Sequence, residues 1–378
     1  MNMVRTITKL IFNGLRYRLL KFSGKACGLQ AISLEITHRC ICRCCMCNIW
    51  QIPNDVPDLQ LSEWTDLLSS PELGGLREID ITGGEPFLRK DLGDLLNWIC
   101  AAKPRLFPGL RTVSITTNGL LTQRIMEVVS QVVPLMRDCE IDLVIVCGMD
   151  AVGEQHDQIR NYKGAWKKLS TTIDELNGLR GIYSNLILGV KTTIVPLNVH
   201  ELERIARFAQ ENDLFTIVSP CIITPNRFGN VGLKDELTLS KDDLREIMLF
   251  YEGPSFAWGS HRQAMLQYLK TGKMKKPCSA GFNTVFVRHT GEVFPCPIIS
   301  TALGNIKHVN LGTLLSNPTA VRFRKHIGKH PECKICTEPG LERVAWPFEG
   351  FTCLRHLVQM GGRDFDRLAR HMGFDKYL

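Results

Sequence analysis

The stretch ISLEITHRCICRCCMCN, residues 32–48, joins a run typical of a β-strand to a loop with five cysteines in eight positions. A disulfide framework, a zinc site and an iron–sulfur site are the three structures that use thiols at such density. The chain has 378 residues, 15 cysteines and a net charge of +8. Disulfide-rich secreted chains are usually small and follow a signal peptide. This chain is long and shows no cleavable signal, so we expect reduced thiols, many of them available to metal, and a cytoplasmic protein.

Residues 30–225 alternate short runs rich in β-branched residues with longer amphipathic segments. This alternation predicts an α/β fold with a parallel sheet covered by helices. Six repeats fit a partial (β/α)6 TIM-like barrel as readily as a flat sheet. The predicted strands are residues 32–37, 76–82, 111–117, 141–147, 187–195 and 214–220, and the predicted helices are residues 62–70, 91–103, 123–136, 166–179 and 200–212.

Conspicuous motifs follow the first four predicted strands. The cysteine loop comes after the first strand, TGGEP (82–86) after the second, TNG (117–119) after the third and GMD (148–150) after the fourth. The carboxyl ends of parallel strands gather at one rim of a barrel, where chemistry takes place. We therefore expect all four motifs to contribute to one site.

The spacing within the cysteine loop distinguishes a zinc site from an iron–sulfur site. Structural zinc normally takes well-separated ligand pairs, but the CxxC pairs Cys42/Cys45 and Cys44/Cys47 overlap on one loop. Cys40, Cys44 and Cys47 stand at x3 and x2 spacing, which can hold three corners of a cubane and leave the fourth iron open to a chelating ligand. We interpret Cys42 and Cys45 as bystanders that face away.

Residues 40–47 resemble the CxxxCxΦC signature of the radical SAM superfamily, with Met46 at the Φ position. Residues 83–86 are similar to the GGEP motif that this family carries after its second strand. The resemblance covers about residues 30–225. It implies that Cys40, Cys44 and Cys47 hold a [4Fe–4S] cluster with S-adenosylmethionine (SAM) on the open iron. Reductive cleavage of SAM would release a 5′-deoxyadenosyl radical that abstracts a hydrogen from the substrate.

The same resemblance implies which residues contact SAM. Gly148 stands where many relatives carry serine, and Asn161 stands where they carry glycine. For two of the implied contacts, Asp150 and Arg160, a helix cap and a surface ion pair are the alternatives. The implied SAM contacts are Met46, Gly83, Gly84, Glu85, Pro86, Asn118, Asp150 and Arg160.

A second group of cysteines surrounds the strand-like runs NTVFVRH (283–289) and VFPCPII (293–299). It resembles the SPASM/twitch extension of radical SAM enzymes in its shorter twitch form, because Glu342 and Trp346 stand where a full SPASM segment continues with cysteines. The resemblance implies one auxiliary [4Fe–4S] cluster with every iron bound by protein. The ligands would be Cys278, Cys296, Cys333 and Cys336.

Zinc remains an alternative for this second group. The same four cysteines suit a zinc ribbon, and His326 and His330 could join Cys333 and Cys336 on zinc. Two further thiols are candidates for a hydrogen donor or a spare cluster ligand. They are Cys147, at the rim end of the fourth strand, and Cys353, just after the auxiliary segment.

We expect five regions along the chain, the first with two interpretations. Residues 1–25 form either a helix packed on the following domain or a basic amphipathic helix resting on anionic lipid, so peripheral membrane association stays open. The regions are an N-terminal basic amphipathic extension (1–29), the radical SAM core barrel (30–225), a helical connector (226–269), a twitch/SPASM-like auxiliary iron–sulfur domain (270–345) and a C-terminal helical tail (346–378).

The reaction class follows from the second cluster. A fully ligated cluster cannot bind substrate, so we expect it to take an electron from the substrate radical in an oxidoreductase that dehydrogenates or cross-links a peptide or small molecule. Epimerisation or carbon–carbon bond formation is the alternative reaction. A non-catalytic iron–sulfur or zinc-ribbon sensor is the alternative from another class.

Several partners follow from this reading. We expect an electron donor of the flavodoxin or ferredoxin type. Nucleic acid is not expected, because the basic residues form no stripe interleaved with aromatics. Only about 30 residues precede the first strand, which argues against a separate peptide-binding domain there and leaves room for sugar or lipid-linked substrates.

Overall fold

The structure is a computed structural model that describes residues 3–53, 55–256 and 259–378. Residues 1–2 of the expected N-terminal extension, residue 54 of the core, and residues 257–258 of the expected connector lie outside the described residues. The strands are β1 Ala31–Glu35, β2 Glu78–Thr82, β3 Thr112–Thr117, β4 Asp142–Gly148, β5 Leu186–Ile194, β6 Phe215–Pro220, β7 Thr284–Val287, β8 Glu292–Phe294 and β9 Gly304–Asn305.

Helices separate and follow these strands. Those of the first half are α1 Met3–Ser23, α2 Leu61–Leu68, α3 Leu92–Leu106, α4 Thr122–Asp138, α5 Glu154–Arg160, α6 Ala165–Arg180 and α7 Leu202–Glu211. Those of the second half are α8 Lys241–Glu252, α9 Gly259–Thr271, α10 Leu311–Ser316, α11 Pro318–Lys325, α12 Glu342–Glu349, α13 Phe351–Met360 and α14 Gly362–His371.

The first six strands are parallel and neighbour one another in chain order. The strand order is β6-β5-β4-β3-β2-β1-β7-β8-β9. The predicted α/β fold with a partial (β/α)6 barrel is therefore confirmed. Strand β7 lies parallel to β1, with Ala31 opposite Thr284, and β8 and β9 continue the sheet antiparallel. The hairpin of the C-terminal region thus extends the barrel sheet past β1.

Successive residues of each barrel strand face opposite sides of the sheet. On β4, Leu143 and Ile145 belong to the core between the sheet and the helices, whereas Val144 and Val146 line a cavity inside the barrel. Both faces are apolar because a parallel sheet with helices outside is buried on both sides. We call the inner space, about 560 Å³ in volume, the barrel cavity.

Helix α1 packs against α11, α12 and α13 through a buried stripe. Gly14 belongs to this stripe because a Cβ atom there would lie 2.8 Å from the Phe351 ring. Tyr17 donates a hydrogen bond to the Cys278 carbonyl oxygen at 2.8 Å. The segment is therefore a packed helix as expected, but it packs on the C-terminal helices and not on the domain that follows it in the chain.

The opposite face of α1 carries apolar side chains without cover. Phe22 is 87% exposed and Leu19 is 70% exposed, and Phe12 and Leu15 are exposed on the same helix. Among the residues that the structure describes, no helix is long and apolar enough to cross a membrane.

The amino end of the barrel is closed by the C-terminal residues. Glu78 of β2 forms ion pairs with Arg343 and with Lys376, the latter at 2.8 Å. Tyr377 donates a hydrogen bond to the same carboxylate at 3.0 Å. Burial acts to raise the pKa of Glu78, but the two cations outweigh it and lower that pKa to about 2. The tail is thus fastened to the barrel through one buried carboxylate.

Candidate active site

The cysteine loop begins where the β2 rim touches the backbone after β1. Gly84 donates a backbone hydrogen bond to the Thr37 carbonyl at 2.8 Å, and Glu85 donates one to the Arg39 carbonyl at 2.8 Å. A Cβ atom on Gly84 would lie 2.2 Å from the Arg39 oxygen, and Gly83 has φ +152°. The two glycines therefore allow a close backbone approach that fixes the start of the loop.

Glu85 joins the second and third strand ends. Its buried carboxylate accepts hydrogen bonds from the backbone N–H groups of Phe87 (3.1 Å) and Asn118 (2.7 Å) and from the Thr117 hydroxyl (2.9 Å). Burial raises the pKa of Glu85 to about 7, although these donors act in the opposite direction. The residue predicted to contact SAM thus also orients Asn118.

Two nitrogen donors approach the thiols of the loop. Asn118 Nδ2 lies 3.9 Å from Cys40 Sγ, and Arg160 Nη1 lies 3.9 Å from Cys44 Sγ. The Cys47 N–H donates to the Cys44 carbonyl at 3.1 Å, which closes the turn between these residues. The loop therefore brings Cys40, Cys44 and Cys47 within electrostatic range of one another.

Cys42 does not face away as predicted. Its side chain is buried in the main core, and its thiol hydrogen-bonds with Cys40 and Cys44. The prediction failed because spacing in an irregular loop does not determine where each side chain points, unlike spacing in a strand. Cys45 lies in a separate apolar cluster beside Met46.

The loop thiols have unequal acidities. The hydrogen bond with Cys42 and the neighbouring Arg160 guanidinium lower the pKa of Cys44 to about 7, and the same kind of bond lowers the pKa of Cys40. Burial raises the pKa of Cys47 to about 12. Because thiolates are the ligand form, two of the three predicted ligands are predisposed to deprotonation, and metal binding releases protons.

Asp150 and Arg160 form a buried ion pair behind the loop. Their side chains are 2.8 Å apart and only 1% and 12% exposed, respectively. The surface-pair alternative is therefore wrong, and the helix that follows, α5, is capped by Gly153 and not by Asp150. A Cβ atom on Gly148 would lie 2.4 Å from Arg160 Nη2, so the guanidinium occupies the space of a side chain at residue 148.

Two features of α5 complete the support for the loop. Asn161 ends the helix at φ +47°, in the left-handed region that asparagine tolerates better than most residues. The carbonyls of Arg160 and Ile159 accept hydrogen bonds from the Arg43 and Cys45 N–H groups at 3.2 and 2.9 Å. The carboxyl end of α5 thus holds the middle of the loop.

The connector after β6 covers the loop, which the sequence did not predict. Asn230 is buried and donates to the Met46 carbonyl at 2.9 Å. Arg227 pairs with Glu35 of β1 at 2.6 Å. Met46 packs with Ala151 and other apolar side chains. No periodicity or motif marks the contacts of Asn230 and Arg227, because their partners lie more than 180 residues away.

The four cysteines predicted to hold the auxiliary cluster line one cavity. Cys278, Cys296, Cys333 and Cys336 surround about 280 Å³, which we call the auxiliary cavity. Burial raises the pKa of Cys278 to about 12 and that of Cys296 well above its usual value. Four thiols around one space can hold either a zinc ion or a larger inorganic core.

The histidine version of the zinc alternative is not supported. His326 is exposed, and its Nδ1 lies 2.9 Å from the Arg322 carbonyl oxygen. His330 stacks on Phe323 with ring centroids 4.7 Å apart. Neither residue lines the auxiliary cavity.

The chain matches two family models. The model of the radical SAM superfamily matches residues 34–209. A model described as an iron–sulfur cluster-binding domain matches residues 278–337, a range that contains all four cysteines of the auxiliary cavity. Residues 34–209 belong to the radical SAM superfamily. A SPASM iron–sulfur domain follows them, and the cofactors of the two domains are SAM and iron–sulfur clusters.

Two curated relatives extend this result. The chain is 21% identical over 308 residues to the antilisterial bacteriocin subtilosin biosynthesis protein AlbA of Bacillus subtilis. That match covers 79% of this chain and 63% of AlbA, so the chain spans less than two thirds of that relative's length. It is 24% identical over 346 residues to the sporulation killing factor maturation protein SkfB of B. subtilis, covering 89% and 76% of the two chains.

The fold also resembles a solved radical SAM enzyme. SuiB of Streptococcus suis bound to S-adenosylmethionine superposes with a TM-score of 0.60 at 13% identity, covering 88% of this chain and 78% of SuiB. SuiB bound to its precursor peptide SuiA superposes with a TM-score of 0.56, at 13% identity over 89% and 74% of the chains. At this identity the likeness concerns the fold alone.

Two residues predicted as spare thiols of this radical SAM enzyme are corrected. Cys147 shares the outward face of β4 with Ile145 in the main core, and it does not line the barrel cavity. Cys353 is buried in a cluster with Leu10 and Leu357 and does not line the auxiliary cavity. Both act as small apolar core residues.

Glu342 and Trp346 stand at the two positions where a full SPASM segment carries cysteine, and both make structural contacts. Glu342 Oε1 lies 2.8 Å from His261 Nδ1 and 3.3 Å from Lys276 Nζ. Trp346 stacks on His356 with ring centroids 4.8 Å apart. Lys276 lines the auxiliary cavity. Burial opposes its charge, but Cys336 and Glu342 outweigh burial and raise its pKa.

The barrel cavity and the auxiliary cavity of the radical SAM enzyme share a wall. Ile298 and Leu341 line both. On the rim side, Thr82 and Phe228 line the barrel cavity. Thr82 precedes the GGEP residues, and the Phe228 carbonyl accepts a hydrogen bond from Asn48 of the cysteine loop at 2.7 Å. The barrel cavity therefore reaches from the wall of the auxiliary cavity to residues that adjoin the cysteine loop.

Proposed function

We propose that this radical SAM enzyme oxidatively modifies a peptide, with Cys40, Cys44 and Cys47 holding the SAM-binding [4Fe–4S] cluster. Cys278, Cys296, Cys333 and Cys336 would hold one auxiliary [4Fe–4S] cluster. The observation that carries the proposal is that the barrel cavity reaches from residues that adjoin the cysteine loop to Ile298 and Leu341, the wall on the auxiliary side.

The residues of the chain have separate tasks in this proposal. Bound at their two sites, the clusters supply reductive cleavage of SAM to a 5′-deoxyadenosyl radical at the rim and an electron acceptor beyond the shared wall. Gly83 and Gly84 keep the cysteine loop in place, and Asn118 and Arg160 donate toward its sulfurs. The apolar side chains of Ile298 and Leu341 separate the two cavities.

The lining of the barrel cavity is compatible with part of a peptide. Its volume of about 560 Å³ is within the range of small-ligand sites, and it accommodates one or a few side chains. Lys191, Arg227 and Glu338 supply charges, and Phe228 and Phe286 supply aromatic surface. The names of AlbA and SkfB and the complex of SuiB with SuiA support a peptide substrate.

The lining of the barrel cavity favours oxidation over epimerisation, because epimerisation needs a thiol there to donate a hydrogen atom. Of the described residues that line the barrel cavity, none is a cysteine, so this set offers the substrate radical no thiol hydrogen donor. An auxiliary cluster behind Ile298 and Leu341 would provide the other exit by accepting one electron from the substrate radical. The substrate would lose a hydrogen atom to the 5′-deoxyadenosyl radical, one electron to the auxiliary cluster and one proton to solvent. An external protein of the flavodoxin or ferredoxin type would supply the electron for SAM cleavage at the rim cluster and take up the electron left on the auxiliary cluster.

Anaerobic reconstitution tests both sites. The wild-type chain should hold about eight irons, as two cubanes of four, and convert SAM to methionine and 5′-deoxyadenosine under dithionite. Cys44→Ala should lose about half of the iron and all SAM cleavage. Cys336→Ala should lose about half of the iron and keep SAM cleavage, and Cys353→Ala should match the wild type. A Cys44→Ala variant that still cleaves SAM would end the proposal.

The peptide assignment has its own experiment. Synthetic peptides encoded by short reading frames beside the gene are incubated with the reconstituted enzyme and SAM. We expect one product that lacks two hydrogen atoms in the presence of wild-type enzyme and none with Cys336→Ala. Turnover of only small molecules would refute the peptide, and a product of unchanged mass with inverted stereochemistry would refute the oxidation.

We also propose that α1 contacts an anionic lipid surface. Its uncovered face combines Phe12, Leu15, Leu19 and Phe22 with exposed basic residues along the same helix, among them Arg16. Apolar side chains beside basic residues are typical of helices that lie in a lipid interface. Because the buried face of α1 is already packed, lipid contact would not require the helix to leave the protein.

A further inference from the structure

A cluster of two histidines and an aspartate lies beside the cysteine loop and outside both cysteine sites. His38 precedes Cys40 by two residues, Asp58 precedes α2, and His289 lies in the turn between β7 and β8. One metal-binding atom from each of the three side chains lies within 4.8 Å of those of the other two. Both imidazole rings are buried, with exposed fractions of 1% and 2%.

The nitrogen atoms of these rings are unevenly satisfied. His289 Nδ1 lies 2.9 Å from Glu35 Oε1, and His38 Nδ1 lies 3.1 Å from Asp58 Oδ1. Within the part of the chain that the structure describes, the Nε2 atoms of both rings are buried and have no hydrogen-bond partner. An unpaired polar atom away from water costs about 1–3 kcal/mol, so the buried Nε2 of His289 calls for a ligand. The His38 ring lies beside it, with ring centroids 4.6 Å apart. His38 would offer Nδ1, the atom that already faces Asp58 Oδ1.

We propose that His38, Asp58 and His289 form a binding site for one divalent first-row metal ion, with Zn²⁺ the best suited. Imidazole nitrogen and carboxylate oxygen are ordinary zinc ligands at about 2.0–2.2 Å. Two ligands of one zinc ion are therefore at most about 4 Å apart, and side-chain shifts of less than about 1 Å close the site.

The surroundings of His289 match those of metal-bound histidines. A ligating histidine typically donates its second ring N–H to a carboxylate, which fixes the ring and its tautomer. Glu35 holds His289 in this way and is itself held by Arg227 at 2.6 Å and Arg288 at 3.0 Å. Nε2 of His289 is thereby left as the atom available to metal.

The site joins three separate segments that already touch. The Leu59 N–H donates to the His289 carbonyl at 2.7 Å, and the Thr37 hydroxyl donates to Asp58 Oδ2 at 2.7 Å. Because these contacts position the ligands before metal arrives, little further ordering is needed on binding. The ion ties the start of the cysteine loop to the β7–β8 turn of the auxiliary domain.

Metal content of the cluster-loaded enzyme tests the site. Protein holding its full iron is incubated anaerobically with ZnCl₂, passed over a desalting column and analysed for zinc and iron by mass spectrometry. We expect about one zinc per wild-type chain. His289→Gln and Asp58→Asn should each lower zinc at least fivefold with iron unchanged. His326→Gln and His330→Gln, which alter the other histidine pair, should keep the zinc.

Thermal unfolding supplies a second measurement that does not depend on turnover. Zn²⁺ should raise the unfolding temperature of the wild type and of His326→Gln, because a ligand that binds the native state stabilises it, and it should leave His289→Gln unchanged. Wild-type protein without zinc, or equal zinc in His289→Gln and the wild type at equal iron, overturns the proposal. Since iron and SAM cleavage are measured separately, this result is distinct from failure of the proposed function.

Discussion

Among the glycines that follow the barrel strands at the rim, Gly84 would place an added Cβ atom closest to another atom. Its backbone lies against Arg39, where an added Cβ atom would be 2.2 Å from a carbonyl oxygen. That oxygen belongs to the chain and cannot rotate away as a flexible side chain can. A substituent at this position must therefore displace the start of the cysteine loop.

We predict that Gly84→Ala loses the rim cluster while the fold remains. The iron content of the reconstituted protein should fall by about half, from about eight atoms per chain, and SAM cleavage should disappear. Gly93→Ala is the matched control, because no atom lies within 4 Å of its added Cβ. Iron analysis and far-ultraviolet circular dichroism check both variants, and full iron in Gly84→Ala would contradict the packing argument.

The buried Asp150–Arg160 pair makes the second prediction at this scale. Removing one partner of a buried pair leaves an uncompensated charge and costs about 3–5 kcal/mol, so Arg160→Met should lower the unfolding temperature markedly. Asp150→Asn combined with Arg160→Met should recover part of that loss. The exposed pair Arg245–Asp242 is the control, because surface pairs contribute about 0–1 kcal/mol. Thermal scans of the wild type, Arg160→Met, Asp150→Asn and the double variant complete a double-mutant cycle.

Helix α1 determines how the N-terminal segment can be tested. Deleting it would remove the Tyr17 contact with Cys278 and the packing on α12, so loss of lipid binding in a deletion would be ambiguous. Substituting only the uncovered face avoids this problem. The side chains there contact little of the protein, and surface changes usually alter stability by less than about 0.5 kcal/mol.

We predict that Phe12→Ser combined with Leu19→Ser and Phe22→Ser abolishes sedimentation with vesicles of phosphatidylserine and phosphatidylcholine. The wild type should sediment, and less so at high salt because screening weakens the basic contacts. Ile182→Ser combined with Val358→Ser is the control, since these side chains are 72% and 73% exposed elsewhere. Equal sedimentation of wild type and triple variant would exclude lipid contact through this face.

Most elements of the barrel could be predicted from local sequence. Strand β3, for example, was expected at 111–117 and lies at Thr112–Thr117, because β-branched runs between amphipathic segments are strong local signals. Helix α5 was missed, because its seven residues are too few to establish a helical period. The pairing of β7 with β1 was not predictable, since the sequence of neither strand identifies the other, about 250 residues away, as its neighbour.

The residues of the site likewise differ in whether the sequence predicts them. Cys40, Cys44 and Cys47 are visible in the sequence because their spacing is local. The orientation of Cys147 was not, because β4 is apolar on both faces and its pattern does not say which side is inside. Glu35, His38 and Asn230 carry no motif, and only the folded chain shows what they touch.

At the scale of the whole molecule, Glu78 fastens the C-terminal residues to the barrel. The pKa of Glu78 is about 2 in the folded chain, below the ordinary glutamate value of about 4.3. A lowered pKa stabilises the fold above the ordinary value and loses that contribution as the pH falls from there toward 2. Between pH 5 and 8 the contribution should therefore be constant.

We predict that Glu78→Gln lowers the unfolding temperature by the same amount at pH 5, 6.5 and 8. Arg343 and Lys376 would be left buried without a countercharge, which is costly, so the decrease should be large. Glu140→Gln, an exposed glutamate paired with Arg111, should change little. Differential scanning calorimetry at the three pH values checks this, and a decrease that vanishes at pH 5 would show that the carboxylate titrates much higher.

Strands β1 and β7 lie side by side in one ladder, and each leads to a different set of cysteines. The rim loop continues from β1, and the hairpin that begins with β7 leads to Cys296. In the proposed function, the two clusters would therefore stand at the ends of neighbouring strands of one sheet, at a fixed distance. Electron transfer between them would need no domain closure, so its rate should not depend on solvent viscosity. A viscosity effect on turnover would then report substrate entry or product exit.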